Sequence, residues 1–158
     1  MKLGIVLLFC CFSTVVFAQE IPSLKVEELV AKYSKANGVT VVNFWSTWCK
    51  PCQAEMPHFL SITDSMKLKG VSLLLVSLDT KDVYANGKLK AFVNKKKWVA
   101  PMVWLNETEA DHYCPPIDKT WSGVIPVTLI VNSSKKYSRF YETSLTKEEL
   151  LKGIEEAL

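Results

Sequence analysis

Two cysteines separated by two residues are the part of this sequence best suited to chemistry. Cys49 and Cys52 enclose Lys50 and Pro51, and this spacing at the start of a helix brings two sulfurs within bonding range. Such a pair can alternate between a dithiol and a redox disulfide. A thiol at a helix N-terminus faces unpaired N–H groups, which lower its pKa from about 8.5 into the range of roughly 3.5–7.5, and the charge of Lys50 acts in the same direction. We therefore expect Cys49 to attack a substrate disulfide and Cys52 to resolve the mixed disulfide.

Two other uses of a close cysteine pair compete with redox chemistry. A structural zinc site needs four ligands, usually including a second pair at short spacing, and only Cys114, His58 and His112 remain for that role. The second alternative is a permanent structural disulfide across the short loop. The position of the pair, between a predicted buried strand and a predicted helix, favours the redox interpretation. We expect neither a metal nor another cofactor.

The N-terminal segment has the pattern of a secretory signal peptide. A basic start at Lys2 precedes an apolar run over residues 3–17, and the small residue Ala18 precedes polar residues. The run is short for a membrane span, which needs roughly 20 apolar residues. We expect residues 1–18 to be removed and residues 19–158 to form one domain, exported to the periplasm and soluble. A retained, uncleaved signal that anchors the chain is the alternative.

Composition limits the classes of partner. Removing 18 of the 158 residues leaves 140, about one domain. The formal charge then falls from +3 to +2, because only Lys2 is lost, and this surplus is too small to indicate a nucleic acid or an anionic membrane. Cys10 and Cys11 also leave with the signal, so five cysteines become three. Three cysteines are not the even, larger set of a disulfide-stapled domain.

Hydrophobic periodicity predicts the elements that position the cysteine pair. We expect helices over 24–33, 49–69, 88–97 and from Thr146 to the end, and strands over 39–45, 71–78, 99–105, 127–131 and 137–142. The segment from Asn106 to Gly123, which contains Cys114, is expected to be a long polar connection. Alternating strands and helices require parallel strands, and the last two strands add an antiparallel hairpin. The expected fold is an α/β sandwich with one mixed sheet.

The residues around the cysteine pair resemble those of a known family. The segment VVNFWSTWCKPC, residues 41–52, resembles the active-site segment of the thioredoxin superfamily. Within that superfamily, residues 48–57 and the later 125–128 (Ile-Pro-Val-Thr) resemble the exported TlpA/ResA-like reductases of bacteria. The similarity extends over nearly all of residues 24–158 in element order. It implies a thioredoxin-like three-layer sandwich with a mixed central β-sheet.

The resemblance also implies a substrate surface. It makes Ile125–Pro126 a cis peptide packed beside the cysteines, an uncommon feature of proteins. The backbone of Ile125 would pair there with an extended substrate strand, a small β-augmentation. Trp48, Lys50 and Pro51 complete the expected substrate-binding set.

The chain departs from the family pattern at Asn43 and in the connection from Asn106 to Gly123, which either shapes a substrate groove or is simply a loop. Thioredoxin has a buried aspartate where this chain has Asn43, and asparagine cannot accept the proton of the resolving cysteine. The TlpA/ResA-like branch instead resembles this chain at Glu55, one helical turn after Cys52 and on the same side. We hypothesise that Glu55 tunes Cys52 or relays its proton. The alternative is a solvated surface glutamate.

The resemblance implies an exported thiol–disulfide oxidoreductase that keeps client cysteines reduced, for example those awaiting haem attachment in cytochrome c. It also implies a membrane thiol transporter as electron donor. We expect a monomer that binds disulfide-containing client proteins and no nucleic acid. A thiol peroxidase is the second enzyme hypothesis, but Val42 and Ser46 stand where thioredoxin-fold peroxidases carry Pro and Thr. A copper-binding module is the alternative from another class, although copper carriers of this fold use a C-x-x-x-C spacing.

Four further residues have two interpretations each. Trp121 and Trp48 either line a substrate groove or belong partly to the core. His58, six residues after Cys52, is expected on the surface rather than as the base of a Cys–His pair. Cys114 is either a buried apolar thiol, the commoner fate of a free cysteine, or a site of mixed disulfides.

Overall fold

The computed structural model describes residues 20–158, and the predicted signal peptide, residues 1–18, lies outside the described residues. The helices are α1 (Val26–Ser34), α2 (Lys50–Ser65), α3 (Lys81–Ala85), α4 (Lys88–Lys96), α5 (Ala110–Ile117) and α6 (Lys147–Ala157). The strands are β1 (Ser23–Leu24), β2 (Val39–Trp45), β3 (Val71–Ser77), β4 (Met102–Leu105), β5 (Val127–Asn132) and β6 (Tyr137–Tyr141). Short 3₁₀ turns follow α2 and β5 at Lys67–Lys69 and Ser133–Lys135.

The strands form one mixed six-stranded sheet in the order β1-β4-β3-β2-β5-β6. Strand β2 lies in its middle, parallel to β3 and antiparallel to β5. All seven residues of β2 are buried because helices cover both faces of the sheet. The mixed sheet confirms the α/β fold expected from strand–helix alternation and the terminal hairpin.

Two apolar clusters separate the molecule into three layers. Helices α2, α4 and α6 pack on one face of the sheet, where Cys49 and Cys52 are also buried. Helices α1 and α5 pack on the other face. The three-layer sandwich implied by the resemblance is therefore present. Cys49 and Cys52 lie on one face of the sheet, and Cys114 lies on the other.

Several local predictions are wrong in extent. Strand β4 begins at Met102 rather than at 99, because Pro101 has no N–H to contribute to a ladder. The helix expected to end near residue 69 ends at Ser65 and is followed by a 3₁₀ turn. Elements β1 and α3 were not predicted, since two-residue strands and five-residue helices are too short for periodicity to reveal.

The polar connection predicted between Asn106 and Gly123 is wrong in its middle, where α5 forms. The sequence does not predict this helix because it contains Pro115 and Pro116, and proline inside a helix removes a backbone donor. The helix forms because its apolar face, with Cys114 and Ile117, is buried against the sheet.

The last helix begins as the sequence predicts. Thr146 Oγ1 accepts the N–H of Glu149 at 3.2 Å, and the Glu149 carboxylate accepts the N–H of Thr146 at 2.8 Å. Two donors at the helix start are thereby satisfied. Within residues 20–158, no helix combines the length and the apolar character needed to cross a bilayer.

Candidate active site

The cysteine pair lies at the N-terminus of α2 as a disulfide between Cys49 and Cys52. Cys49 is the N-cap of the helix, and Pro51 occupies its first turn, where a missing N–H costs nothing. The backbone N–H of Cys52 points at Cys49 Sγ, at 3.3 Å. Cys49 is 4% exposed and Cys52 is fully buried. A thiolate formed at Cys49 would therefore receive this N–H and the positive end of the helix.

A buried carboxylate holds the loop between β2 and α2. Asp79, just after β3, accepts the backbone N–H of Thr47 through both oxygens and the Thr47 hydroxyl at 2.5 Å. It also accepts the hydroxyl of Ser77 at 2.9 Å. Two residues later in the loop, the N–H of Cys49 donates to Ser46 O at 3.2 Å. These bonds fix where α2 begins and hence where Cys49 Sγ lies.

The surface around the disulfide is partly apolar. Trp48 is 65% exposed, and Lys50 and Pro51 are also exposed. The Ile125–Pro126 peptide is cis, as the resemblance implies. Among residues 20–158, neither backbone polar group of Ile125 has a hydrogen-bond partner. A peptide lying along this loop would find a free donor and a free acceptor.

Trp121 belongs to the core and does not line a groove. Its ring packs against Phe44, Tyr113 and Phe140, with a closest centroid distance of 4.8 Å to Phe44. Its indole N–H donates to Val124 O at 2.8 Å. The tryptophan thus supports the loop before Ile125 from beneath.

Glu55 is buried in a polar pocket of the core, so the alternative of a solvated surface residue is wrong. Its Oε1 accepts Asn43 Nδ2 at 2.9 Å, and its Oε2 accepts the N–H of Leu145 at 3.0 Å. The side chain is 3% exposed. Burial raises the pKa of Glu55 above its usual 4.5, although the two N–H donors oppose the shift. The carboxyl group is thereby poised to hold a proton more readily than a surface glutamate.

His58 is half-buried, so the expected surface position is confirmed only in part. Its Nε2 donates to Leu145 O at 2.8 Å; a carbonyl can only accept, so this nitrogen carries the hydrogen. Glu55, one turn earlier on α2, binds the N–H of the same residue. The helix therefore holds both backbone polar groups of Leu145.

The remaining cysteine is remote from the disulfide. Cys114 is buried on α5, across the sheet from α2. Burial raises its pKa to about 11, with Glu142 and Asp111 adding to the effect. Of the two interpretations of Cys114, the buried apolar thiol is therefore the one that the structure shows.

His112 lies on the same helix as Cys114, so the ligands that a zinc site would need are not assembled around Cys49 and Cys52. Within residues 20–158, no three His, Cys, Asp or Glu side chains cluster closely enough to hold a metal ion.

Sequence reasoning missed two residues of the site. Asp79 follows β3, and β3 runs parallel to β2, so both strands end at the edge of the sheet where the cysteines lie. The predicted parallel pairing could therefore have indicated Asp79. Thr128 Oγ1 accepts Asn43 Nδ2 at 3.2 Å, and the two residues are directly opposite each other on β5 and β2. That pairing depends on a register that no local pattern specifies.

Comparison with known proteins places these features among thiol–disulfide enzymes. The AhpC/TSA family model matches residues 18–148. The thiol-disulfide oxidoreductase ResA of Bacillus thuringiensis subsp. konkukian is 30% identical over 132 residues, covering 82% of this chain and 69% of the relative. ResA of Oceanobacillus iheyensis is 43% identical over a shorter stretch of 58 residues, 36% of this chain and 30% of that protein.

Solved structures agree with the fold. A thioredoxin-related protein from Neisseria meningitidis serogroup B superposes with a TM-score of 0.64 at 24% identity, covering 77% of this chain and 85% of that one. StoA from Bacillus subtilis gives a TM-score of 0.55 at 24% identity, covering 75% and 84%. A secreted Mycobacterium tuberculosis disulfide oxidoreductase, described as homologous to Escherichia coli DsbE, gives 0.58 at 17% identity, covering 78% and 84%. At these identities the likeness concerns the fold alone.

Proposed function

We propose a direction and a setting for the disulfide exchange of this chain, which belongs to the AhpC/TSA family and is a thiol–disulfide oxidoreductase of the ResA type. The chain reduces disulfides of client proteins in an exported compartment, for instance client cysteines that must be reduced before haem is attached to cytochrome c. The observation that carries the assignment of roles is the Cys52 N–H aimed at Cys49 Sγ at the start of α2. That donor favours the thiolate at Cys49 over the one at Cys52.

The reaction consists of two thiol–disulfide exchanges. The Cys49 thiolate attacks one sulfur of the client disulfide and forms a mixed disulfide, and the client's other sulfur leaves as a thiolate. Cys52 then loses its proton, attacks Cys49 Sγ and releases the second client thiolate. Two electrons pass from the Cys49–Cys52 dithiol to the client, and the pair ends as the disulfide seen here.

Glu55 is the proposed proton acceptor for Cys52. It lies one helical turn further along α2, is buried, and has a raised pKa. A carboxylate with a raised pKa can take up the proton of the resolving thiol and return it to the departing client thiolate.

The client segment is proposed to lie beside the cysteines in an extended conformation. The unpaired backbone groups of Ile125 supply one donor and one acceptor for such a strand. Pro126 is buried, while Trp48, Lys50 and Pro51, the neighbours of the two cysteines in sequence, are exposed. The chain acts as a monomer in this proposal, with no nucleic acid involved.

Export and the electron supply are further parts of the proposal. The signal-like pattern of residues 1–18 supports a periplasmic or equivalent location. Because such compartments are oxidising, the pair needs a membrane thiol transporter to return it to the dithiol form. Sequencing the N-terminus of protein from an exported fraction tests the location: a start at Gln19 supports cleavage, and Met1 supports a retained anchor.

The direction of electron flow is tested by equilibrating the pair with glutathione. A potential near about −270 mV, that of thioredoxin, supports the reductase, whereas a value near about −120 mV belongs to an oxidant and reverses the direction. Reduction of insulin by dithiothreitol in the presence of the protein gives a second readout. Cys49→Ser must abolish the acceleration over dithiothreitol alone, and Cys114→Ala must leave that acceleration unchanged. A tight copper complex without turnover would contradict the proposal.

The client is identified with a trapping variant. Cys52→Ser retains Cys49, so the mixed disulfide with the client persists and can be isolated from an exported fraction. Cys49→Ser is the matched control and should capture nothing. Recovery of cytochrome c apoprotein supports the maturation role, and a trap without that apoprotein contradicts it.

A further inference from the structure

Asn43 has one buried polar atom without a partner. The residue is fully buried, its Nδ2 donates to Glu55 Oε1 at 2.9 Å and to Thr128 Oγ1 at 3.2 Å, and its Oδ1 has no hydrogen-bond partner among residues 20–158. Buried polar atoms are nearly always paired. The Asn43 side chain thus uses its N–H donors, while its acceptor Oδ1 is unused. This acceptor is available for a state of the site in which a neighbouring group donates.

The observed orientation of this amide suits only an ionised Glu55. A carboxylate accepts hydrogen bonds, and Glu55 accepts one from Asn43 and one from the N–H of Leu145. A protonated Glu55 has an O–H that needs an acceptor, which neither of these N–H groups can provide. A half-turn of the Asn43 amide about its Cβ–Cγ bond exchanges Nδ2 for Oδ1 with almost no change in shape. The unused acceptor then faces Glu55 Oε1.

Thr128 can bind either orientation. Its hydroxyl both donates and accepts, and it lies opposite Asn43 in the antiparallel β2–β5 ladder. In the observed orientation it accepts from Nδ2; after the half-turn it donates to Oδ1. Both orientations therefore keep the bonds to Glu55 and to Thr128, and each leaves one amide atom unpaired.

We propose that Asn43 is a positioning residue whose side-chain amide turns over when Glu55 gains or loses a proton, with Thr128 as its partner in both orientations. The inference rests on the proposed function, in which one proton moves from the Cys52 thiol to Glu55 Oε1. Because the amide can satisfy both states of Glu55, neither state is locked. A side chain that only accepts, such as aspartate, would favour the protonated state alone.

The groups that face Glu55 on all sides are few. On α2, the titratable neighbours are Cys52 in the preceding turn and His58 in the next, whose Nε2 is engaged by Leu145 O. From β2 and β5 come the uncharged Asn43 and Thr128, and from the loop before α6 comes the N–H of Leu145. Within residues 20–158, no charged side chain pairs with Glu55. The amide is thus the group best placed to respond to its charge.

Nuclear magnetic resonance of the dithiol form tests the turnover directly. The Glu55 carboxyl ¹³C signal reports its protonation, and the Asn43 side-chain NH₂ signals report the amide. We expect the Asn43 signals to change with the same midpoint as Glu55, and the contact between the amide protons and Thr128 Hβ to be lost on the acidic side. The amide of Asn132, which donates to Ala157 O at 2.8 Å, should stay constant. In Glu55→Gln the Asn43 transition should vanish.

Three outcomes separate this inference from the proposed function. Asn43 amide protons that keep their contact with Thr128 Hβ on both sides of the Glu55 midpoint overturn the turnover and leave the reductase intact. A Glu55 carboxyl that never changes protonation overturns the turnover together with the proton relay. Coincident midpoints of the Asn43 and Glu55 signals in the wild type, together with the absence of the Asn43 transition in Glu55→Gln, support both the turnover and the proton relay.

Substitutions give an independent readout through the pH profile of disulfide exchange. Asn43→Asp keeps the shape but cannot donate and adds a like charge, so the midpoint assigned to Glu55 should rise by at least about one pH unit. Thr128→Val removes the hydroxyl in a residue that still suits a strand, and Thr128→Ser restores it. We expect Thr128→Val to move the midpoint assigned to Glu55 and Thr128→Ser to return it to the wild-type value. Equal midpoints for Val and Ser would overturn the role of Thr128.

Discussion

The carboxylate of Asp79 accepts the backbone N–H of Thr47 through both oxygens, at 3.0 and 3.1 Å, across 32 residues of sequence. The bond connects the end of β3 to the loop that leads into the cysteine pair. Because Asp79 is 3% exposed, its hydrogen bonds are made where water cannot substitute for them. The position of Cys49 therefore depends on a residue from a different strand.

Replacing this carboxylate is expected to loosen the active-site loop. In Asp79→Asn an amide group faces the N–H and hydroxyl donors of Thr47, so at least one buried hydrogen bond is lost. We expect a loss of about 1–3 kcal/mol in the free energy of unfolding and a lower kcat for insulin reduction. Asp82→Asn, at an exposed carboxylate on α3, is the control and should change neither. Unaltered kcat and stability in Asp79→Asn would show that the position of the loop does not depend on the Asp79 carboxylate.

The stability of the oxidised protein should depend on pH through Glu55. Burial raises the pKa of this carboxyl in the folded chain above the 4.5 of an unperturbed glutamate. The folded state then binds more protons than the unfolded state between those two values. The free energy of unfolding therefore falls as pH rises from the unfolded pKa through the folded one.

Urea titrations at several pH values between about 4 and 8 measure this fall. Glu55→Gln cannot ionise, so its curve should lack the component that the wild type shows. Glu155→Gln, at an exposed position on α6, should retain it. The assignment fails if the Glu55 variant follows the wild-type curve over the whole range.

Cys114 is expected to be unreactive in the folded chain. With a pKa of about 11 caused mainly by burial, its thiolate is about one part in ten thousand at neutral pH. Mass spectrometry after iodoacetamide treatment of the reduced protein should find label at Cys49 and none at Cys114. The same treatment in urea should label both. Modification of native Cys114 at the rate of Cys49 would contradict this expectation.

A stability test addresses the start of the two central parallel strands. Gly38, before β2, has φ +76°, and a Cβ there would collide with the carbonyl oxygen of Gly70. Gly70 has φ +79° with open space around it. The left-handed conformation alone costs roughly 1–2 kcal/mol for a residue with a side chain. We expect Gly38→Ala to lose clearly more free energy of unfolding than Gly70→Ala, as measured by urea midpoints. Equal losses would mean that backbone conformation alone accounts for both.

Much of the architecture follows from local patterns. The β-branched run of β2 and the capping box at Thr146 are features of neighbouring residues, and both elements form where the sequence predicts. The helix α5 was missed because its signal lies in which face becomes buried, and Pro115 and Pro116 weaken every local indication of it. Trp121 was equally ambiguous, because aromatic residues occur in grooves and in cores alike.

The sequence by itself determined that two sulfurs would stand at the first turn of a helix, because a spacing of two residues and the strand before it are local facts. Only the tertiary structure decided the surroundings of Glu55, whose partners Asn43 and Leu145 lie 12 and 90 residues away. It also decided that Cys114 lies across the sheet from the disulfide. Hydrogen bonds between distant segments depend on strand register and on which helix face packs inward. Those are properties of the whole folded chain, so no short stretch of residues specifies them.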